Sequence, residues 1–353
     1  MRLRYTLAVA VLAGTVLLAQ TATKSWTPPK TPWGDPDLQG VWPGTALLGV
    51  PMERPQQFGT RAYLTEQEYT DKEAFAKKQT EIDTAQYVSK EPLVGRGGTF
   101  VKCSDDPERC ANGVRIGPPN YWDERGTPNR RTSLIMDPPD GRIPPLTPEA
   151  QKLAAERAAA RRARPCSRTS AGCHDSWEDE SLWDRCITRG TVGSIVPNTY
   201  NQGNQIVQAP GYVVLRNEMI HESRIIPVDG RPHLPPGIRT WMGDPRGHWE
   251  GNTLVVETTN FLDKTLIGQT QATENLRLVE RFTRTSPDTL EYQVTVDDPK
   301  TWTKPWTIAL PLKSEPGYVL YEYACHEGNY YMYNALSGAR ADEKAAAAKA
   351  VKN

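Results

Sequence analysis

Histidine is scarce in this chain: there are five among 353 residues, so each can be weighed singly as a candidate for proton transfer or metal binding. No sign of charge prevails, with 42 basic and 42 acidic side chains. That balance excludes a general nucleic-acid binder, which needs a basic excess to displace phosphate counterions. Beyond residue 19 no apolar run approaches the roughly 20 residues of a membrane span, which excludes a bundle of spanning helices. Four catalytic signatures are missing. There is no G-x-S-x-G elbow, no P-loop, no G-x-G-x-x-G fingerprint and no H-E-x-x-H helix. An α/β-hydrolase, a nucleotide enzyme and a zincin are thereby disfavoured. Phenylalanine is also sparse, at five, against ten tryptophans and fourteen tyrosines. Aromatics with a polar edge suit ligands that need both stacking and hydrogen bonds, and they equally suit an irregular shell packed on a barrel.

What is present begins with Arg2 and Arg4 ahead of an apolar run from Tyr5 to Ala19. A basic start followed by a run of that length is the pattern of a secretory signal, so residues 1–22 are expected to be removed and the rest exported without a stable membrane anchor. Six cysteines fit an oxidising compartment. Cys103 with Cys110 and Cys166 with Cys173 would each close a short polar loop, leaving Cys186 with Cys325; fifteen pairings exist and this is the simplest. A metal site is the competing use, but C-x6-C lacks the tight spacing of structural zinc.

Thirty prolines and 27 glycines, densest before residue 150, predict long irregular connections. Residues 23–145 read as an irregular segment with one helix and an edge strand at Gly40-Val41-Trp42. That helix starts at Thr65, with Glu68 completing a capping box, and runs to about Lys78. A short strand is expected over Thr132–Met136, and a second surface helix at Thr147-Pro148-Glu149, ending before Pro165. Residues 146–338 then read as a β domain with that helix in front, and 339–353 as a helical tail. Strands are expected over Gln205–Val207, Tyr212–Asn217, Met219–Pro227, Thr253–Phe261, Leu276–Thr285, Leu290–Asp297, Trp306–Leu312 and Tyr318–Cys325. Turn residues between them argue a mainly β chain, an antiparallel meander closing into a barrel or a lipocalin-like sandwich. Alternation puts Leu276, Leu278, Glu280 and Phe282 on one face, and Leu290, Tyr292, Val294 and Val296 on one face. Glu280 on such a face calls for an arginine partner, Arg224 or Arg281.

Of the histidines, His174 and His248 read as surface residues. His221 falls inside the expected strand Met219–Pro227, beside Glu222 and Arg224, where an ionisable group needs a partner or a function. His326 sits at a strand exit with Glu322, Glu327 and Asn329 nearby, a place functional groups favour. An imidazole paired with a carboxylate is the minimum for acid–base work near neutral pH. The candidate catalytic residues are therefore His221, His326, Glu222 and Glu327. Arg224, Arg239, Tyr200, Asn204, Asn329 and His233 are the candidates for holding substrate. No cofactor is required, although His221, His233 and His326 together would make a three-nitrogen metal site.

The wording Glu218-Met-Ile-His, Asp229-Gly-Arg-Pro-His233, Gly251-Asn-Thr-Leu-Val-Val-Glu-Thr-Thr-Asn-Phe261 and Tyr323-Ala-Cys-His-Glu-Gly-Asn329 resembles a family of exported, uncharacterised proteins of environmental bacteria. The resemblance covers roughly residues 130–345. It implies that His221, His233 and His326 belong to one shared site, and it lends no mechanism. The reading that follows is an exported lyase or hydrolase for a small hydroxyl-rich substrate, a glycoside or plant phenolic. The alternatives are a lipocalin-like carrier, for which Gly40-Val41-Trp42 supplies the opening strand, and a histidine-ligated metalloprotein.

Overall fold

The computed structural model describes residues 26–89, 126–163, 174–198, 200–268 and 270–352. The expected signal segment and the cysteines at 103, 110, 166 and 173 lie outside these. The chain is mainly β, built on two antiparallel sheets. The first has four strands in the order β1 (Gly40–Val41), β3 (Asn204–Ala209), β4 (Tyr212–Asn217) and β5 (Ser223–Pro227). The second has six. They are β2 (Ile135–Asp137), β12 (Trp306–Lys313), β11 (Thr289–Asp297), β10 (Arg277–Ser286), β7 (Thr253–Thr259) and β6 (Asp244–Glu250), in that spatial order. A two-stranded ribbon joins β8 (Leu266–Ile267) to β9 (Thr270–Gln271). Among the described residues no sheet closes on itself.

The strands form where β-branched and aromatic residues alternate with polar ones, because a pleated strand sends successive side chains to opposite faces. Leu278, Glu280 and Phe282 of β10 are buried, as are Leu290, Tyr292, Val294 and Val296 of β11. All of these but Glu280 join Val213, Leu215 and Ile226 of the first sheet in one hydrophobic cluster, so both sheets share a core. Each such side chain contributes about 1.5–3 kcal/mol through burial. The irregular segment before residue 60 belongs to the same core: Leu38, Trp42 and Leu47 are buried in it. Strand β6 was not anticipated, since Asp244-Pro-Arg-Gly-His-Trp-Glu has little apolar alternation and is held by its pairing with β7.

Three helices occur among the described residues. Helix α1 (Glu66–Ser89) begins at the expected capping box: Thr65 N–H donates to Glu68 Oε2 at 2.8 Å, and Glu68 N–H donates to Thr65 Oγ1 at 3.3 Å. It runs well past Lys78. Helix α2 (Pro148–Ala163) is capped by Thr147, whose hydroxyl accepts the Ala150 N–H at 3.1 Å. Helix α3 (Tyr331–Lys352) starts eight residues ahead of the expected tail. Among the described residues no helix is long and apolar enough to cross a membrane.

Candidate functional site

The site is assembled at one end of the first sheet from the β4–β5 connection, the loop 183–203 and the segment 318–331. His221 is not inside a strand. Strand β4 stops at Asn217 and β5 starts at Ser223; between them Met219–His221 form a single 3-10 turn. Ile220 and His221 adopt left-handed backbone, with φ of 60° and 45°. The segment Glu-Met-Ile-His-Glu carries no glycine, proline or asparagine, so nothing in the sequence marks this reversal. His221 is exposed, and its Nδ1–H donates to the Tyr323 carbonyl at 3.0 Å.

Glu218 holds the turn in place. Its buried carboxylate accepts the Gly203 N–H at 3.0 Å, the Tyr318 hydroxyl at 2.7 Å, the Tyr321 N–H at 3.1 Å and the Asn201 amide at 3.2 Å. One carboxylate thereby joins all three parts of the site. Gly203 makes the approach possible: a Cβ there would lie 2.2 Å from Leu320 and 2.8 Å from the Glu218 carboxylate. This capture also explains why Tyr318–Cys325 is not the expected strand. The side chains and N–H groups that a ladder needs are turned to Glu218 and to local turns, with Cys325 N–H bonded to Tyr323 O and Glu327 N–H to Ala324 O. The Cys186–Cys325 disulfide then ties the segment to the loop, as the cysteine arithmetic anticipates.

Between these pieces lies an open cavity of about 520 Å³. Tyr200, Glu327 and Asn329, three of the residues selected from sequence, line it. So do Asp184 and Glu322, and the rings of Trp183, Tyr323 and Tyr331. His326 is exposed on the same turn as Glu327, and His221 is tied to its wall through Tyr323. Four of the five described non-glycine residues with positive φ, Cys186, Asn201, Ile220 and His221, belong to two of the three segments that meet here. Strained backbone of this kind persists only where surrounding contacts over-determine it, and it gathers at functional sites.

Behind the cavity stands an arrangement that sequence reading missed. His174 is buried rather than exposed, because its Nδ1–H donates to Glu180 Oε1 at 2.6 Å. The Tyr331 hydroxyl donates to the other oxygen of Glu180 at 2.8 Å. Burial first, then the bond and charge of Glu180, push the Tyr331 phenol up to about 12. His174 sits among acids and next to a cysteine, with no apolar periodicity around it, so only the chain path brings it inside.

Other groups are perturbed by burial. Glu222, half-buried, donates nothing and accepts the Thr188 hydroxyl at 2.5 Å; its desolvation raises the carboxyl above its ordinary range. Arg189 lies over the Trp183 ring, 4.7 Å from its centroid, and burial lowers its pKa.

The remaining candidates lie away from the cavity. Arg224 is a core residue, not a substrate clamp: it spans Glu280 at 2.6 and 2.9 Å, and the Tyr292 hydroxyl donates to the same carboxylate at 3.0 Å. Asn204 is buried in backbone-holding bonds to the Trp42 and Gln202 carbonyls. Arg239 donates to the Phe261 and Glu274 carbonyls, at 3.2 and 2.9 Å. His233 is held between Asp244, at 3.0 Å, and Glu257, at 3.4 Å, on strands β6 and β7. His248 is exposed beside Glu250, as expected. Among the described residues no group of three or more histidine, cysteine or acidic side chains is placed to hold a metal ion, so His221, His233 and His326 do not converge on one.

Comparison with known protein families, with curated proteins and with solved structures finds no match for this chain.

Proposed function

We propose that this chain is an exported lyase or hydrolase that uses histidine–carboxylate chemistry on a small hydroxyl-rich substrate, a glycoside or plant phenolic, in the cavity between Asp184 and Tyr331. The observation that carries the reading is the convergence of Tyr200, Glu327 and Asn329 on one cavity, with His221 bonded to its wall. A volume of about 520 Å³ suits a ligand of one or two sugar rings. His326 does not itself line the cavity; in this reading it is the proton carrier on the turn between the lining residues Cys325 and Glu327, a turn that the disulfide holds, and it acts through Glu327, its carboxylate neighbour. His221 positions Tyr323 and the wall. Export rests on the basic and apolar start of the chain together with the Cys186–Cys325 disulfide.

The test is turnover of pooled glycosides and phenolic glycosides by the mature protein, followed by mass spectrometry. His326→Ala should lower turnover by about a hundredfold or more with little change in melting temperature. A protein inert toward every pool, or a His326→Ala variant as active as the parent, would sink the reading.

A second reading, a lipocalin-like carrier, has one observation in its favour. Gly40–Val41 pairs with β3 as an opening strand, and Trp42 lies under the Arg284 guanidinium, 5.2 Å from ring centroid to Cζ. The Lys313 N–H at the end of β12 reaches the Pro43 carbonyl at 3.3 Å, which supports reading the two sheets as one nearly closed barrel. Its inward positions, however, are filled. The Phe282 and Tyr292 rings meet at a tilt, 5.0 Å between centroids, with the Arg224–Glu280 pair beside them. The filling favours a site at the rim over a cup.

A further inference from the structure

We propose, resting on that reading of the cavity, that its substrate carries a cationic amine among its hydroxyls, an amino sugar, and that Tyr331 is the acceptor that orients it. Among the described residues the cavity is lined by three carboxylates, Asp184, Glu322 and Glu327, and by no lysine, arginine or histidine. Its walls are aromatic, from Trp183 and the tyrosines. A concave surface bearing one sign of charge beside low-dielectric walls concentrates ligands of the opposite sign. Aromatic faces add attraction for a cation.

The hydrogen-bond inventory points the same way. Tyr331 gives its proton to Glu180, which as a carboxylate can only accept. The phenol oxygen is therefore left with lone pairs, and it accepts from the ligand. His174 on the far oxygen of Glu180 holds that carboxylate still. The amide donors on the rim are committed inward. Asn329 Nδ2 faces the Asp184 carbonyl at 3.4 Å and Cys186 Sγ at 3.3 Å, and Asn201 Nδ2 donates to Glu218. The backbone N–H groups of Cys325, Glu327, Asn329 and Tyr330 all bond within their own turns, and that of Tyr331 bonds to Asn329 Oδ1. Arg189, which does not line the cavity, lies over the Trp183 ring. With three carboxylates and the Tyr331 oxygen on its lining, the site offers acceptors to a ligand that brings donors of its own. It mismatches a phosphate, sulfate or uronate, whose anionic group offers acceptors only and is repelled by the three carboxylates.

The experiment is calorimetric titration of the intact mature protein near pH 6 with three disaccharides of one linkage. One is built of glucosamine, one is its N-acetylated counterpart and one carries a uronic acid. The amine form should bind about tenfold tighter than the N-acetylated form, as two or three partly exposed ion pairs would give, and the uronate should bind weakest. The preference should shrink in added salt and vanish in the exposed-site double variant Glu322→Gln/Glu327→Gln. Tyr331→Phe takes a donor from the buried Glu180 and should lower the melting temperature, but the folded variant should lose affinity for the amine form more than for the N-acetylated form. Equal or reversed ranking overturns the amine preference and leaves the acid–base reading standing if the neutral or acidic sugar is bound or turned over. Binding of none of the three, with no turnover, overturns both.

Discussion

Arg224 meets Glu280 through both terminal guanidinium nitrogens, at 2.6 and 2.9 Å, with side chains only 2% and 0% exposed. Burial opposes the charge on Arg224, but Glu280 beside it more than restores it, and the guanidinium pKa ends above its ordinary value. The pair links β5 to β10, so it joins the two sheets through the core. Removing one partner leaves an uncompensated buried charge. Glu280→Ala is expected to cost about 3–5 kcal/mol in urea unfolding. A cost under about 1 kcal/mol would mean the pair is not sealed from water.

The disulfide between Cys186 and Cys325 closes a loop of 139 residues. In the chain-entropy account a loop of that length is worth about 4–5 kcal/mol. The Cys186→Ser/Cys325→Ser variant should lose stability on that scale, and it should lose ligand binding before it unfolds, since the bond fixes the wall of the cavity. Unchanged binding in the folded variant would show that Glu218 alone suffices to hold the segment.

His221 offers a direct check on the turn. At φ 45° an alanine keeps the strain of left-handed backbone, which a glycine does not feel. His221→Gly should therefore be more stable than His221→Ala by about 1 kcal/mol in chemical denaturation. The reverse order, expected if the residue lay in an extended strand, would refute the turn.

The elevated carboxyl of Glu222 makes a statement about pH. Burial raises it above its ordinary 4.5, so between that value and the folded one the folded state holds more protons than the unfolded. Stability from this group is fully present below pH 4.5 and declines as pH rises through the folded value. Glu222→Gln removes the decline and can still accept from Thr188. The difference in melting temperature, variant minus parent, should grow in the variant's favour from pH 4 to pH 8. A flat difference would place Glu222 in water.

Gly203 tests the assembly of the site as a whole. Its missing side chain leaves room for Leu320 and the Glu218 carboxylate. Gly203→Ala should cost about 1–3 kcal/mol and expose the 318–331 segment to limited proteolysis while the strands stay protected from hydrogen exchange. Equal protease resistance in parent and variant would argue that the segment is anchored elsewhere.

Much of the fold was legible because strands announce themselves locally. The alternation through Leu278, Glu280 and Phe282, and through Leu290 to Val296, reads directly as one buried face per strand. The Thr65/Glu68 cap and the Thr147-Pro148 start read just as directly. The Glu280–Arg224 pairing was legible too, as one of two options, since a carboxylate on a buried face demands a cation. The site was legible only in part. Tyr200, Glu327 and Asn329 could be chosen by residue type, but Arg224, Asn204 and Arg239 by the same standard proved to hold the fold. His174, Glu180 and Tyr331 lie up to 157 positions apart in sequence and carry no mutual signal before the chain is folded.

The sequence by itself determined most of the antiparallel strands and the caps of the first two helices, and among fifteen possible pairings it favoured Cys186 with Cys325 as the simplest partners left over. Each follows from short-range chemistry: period-two burial, side-chain capping and cysteine spacing. Tertiary structure alone decided that 218–222 is a turn, that 318–325 is not a strand, and that His174 is buried. The first two outcomes depend on a single buried carboxylate, Glu218, collecting donors from two distant segments, and the third on Glu180, which accepts from His174. Satisfying such a group outweighs local strand propensity, because an unpaired buried carboxylate costs more than any one residue's preference for extended backbone.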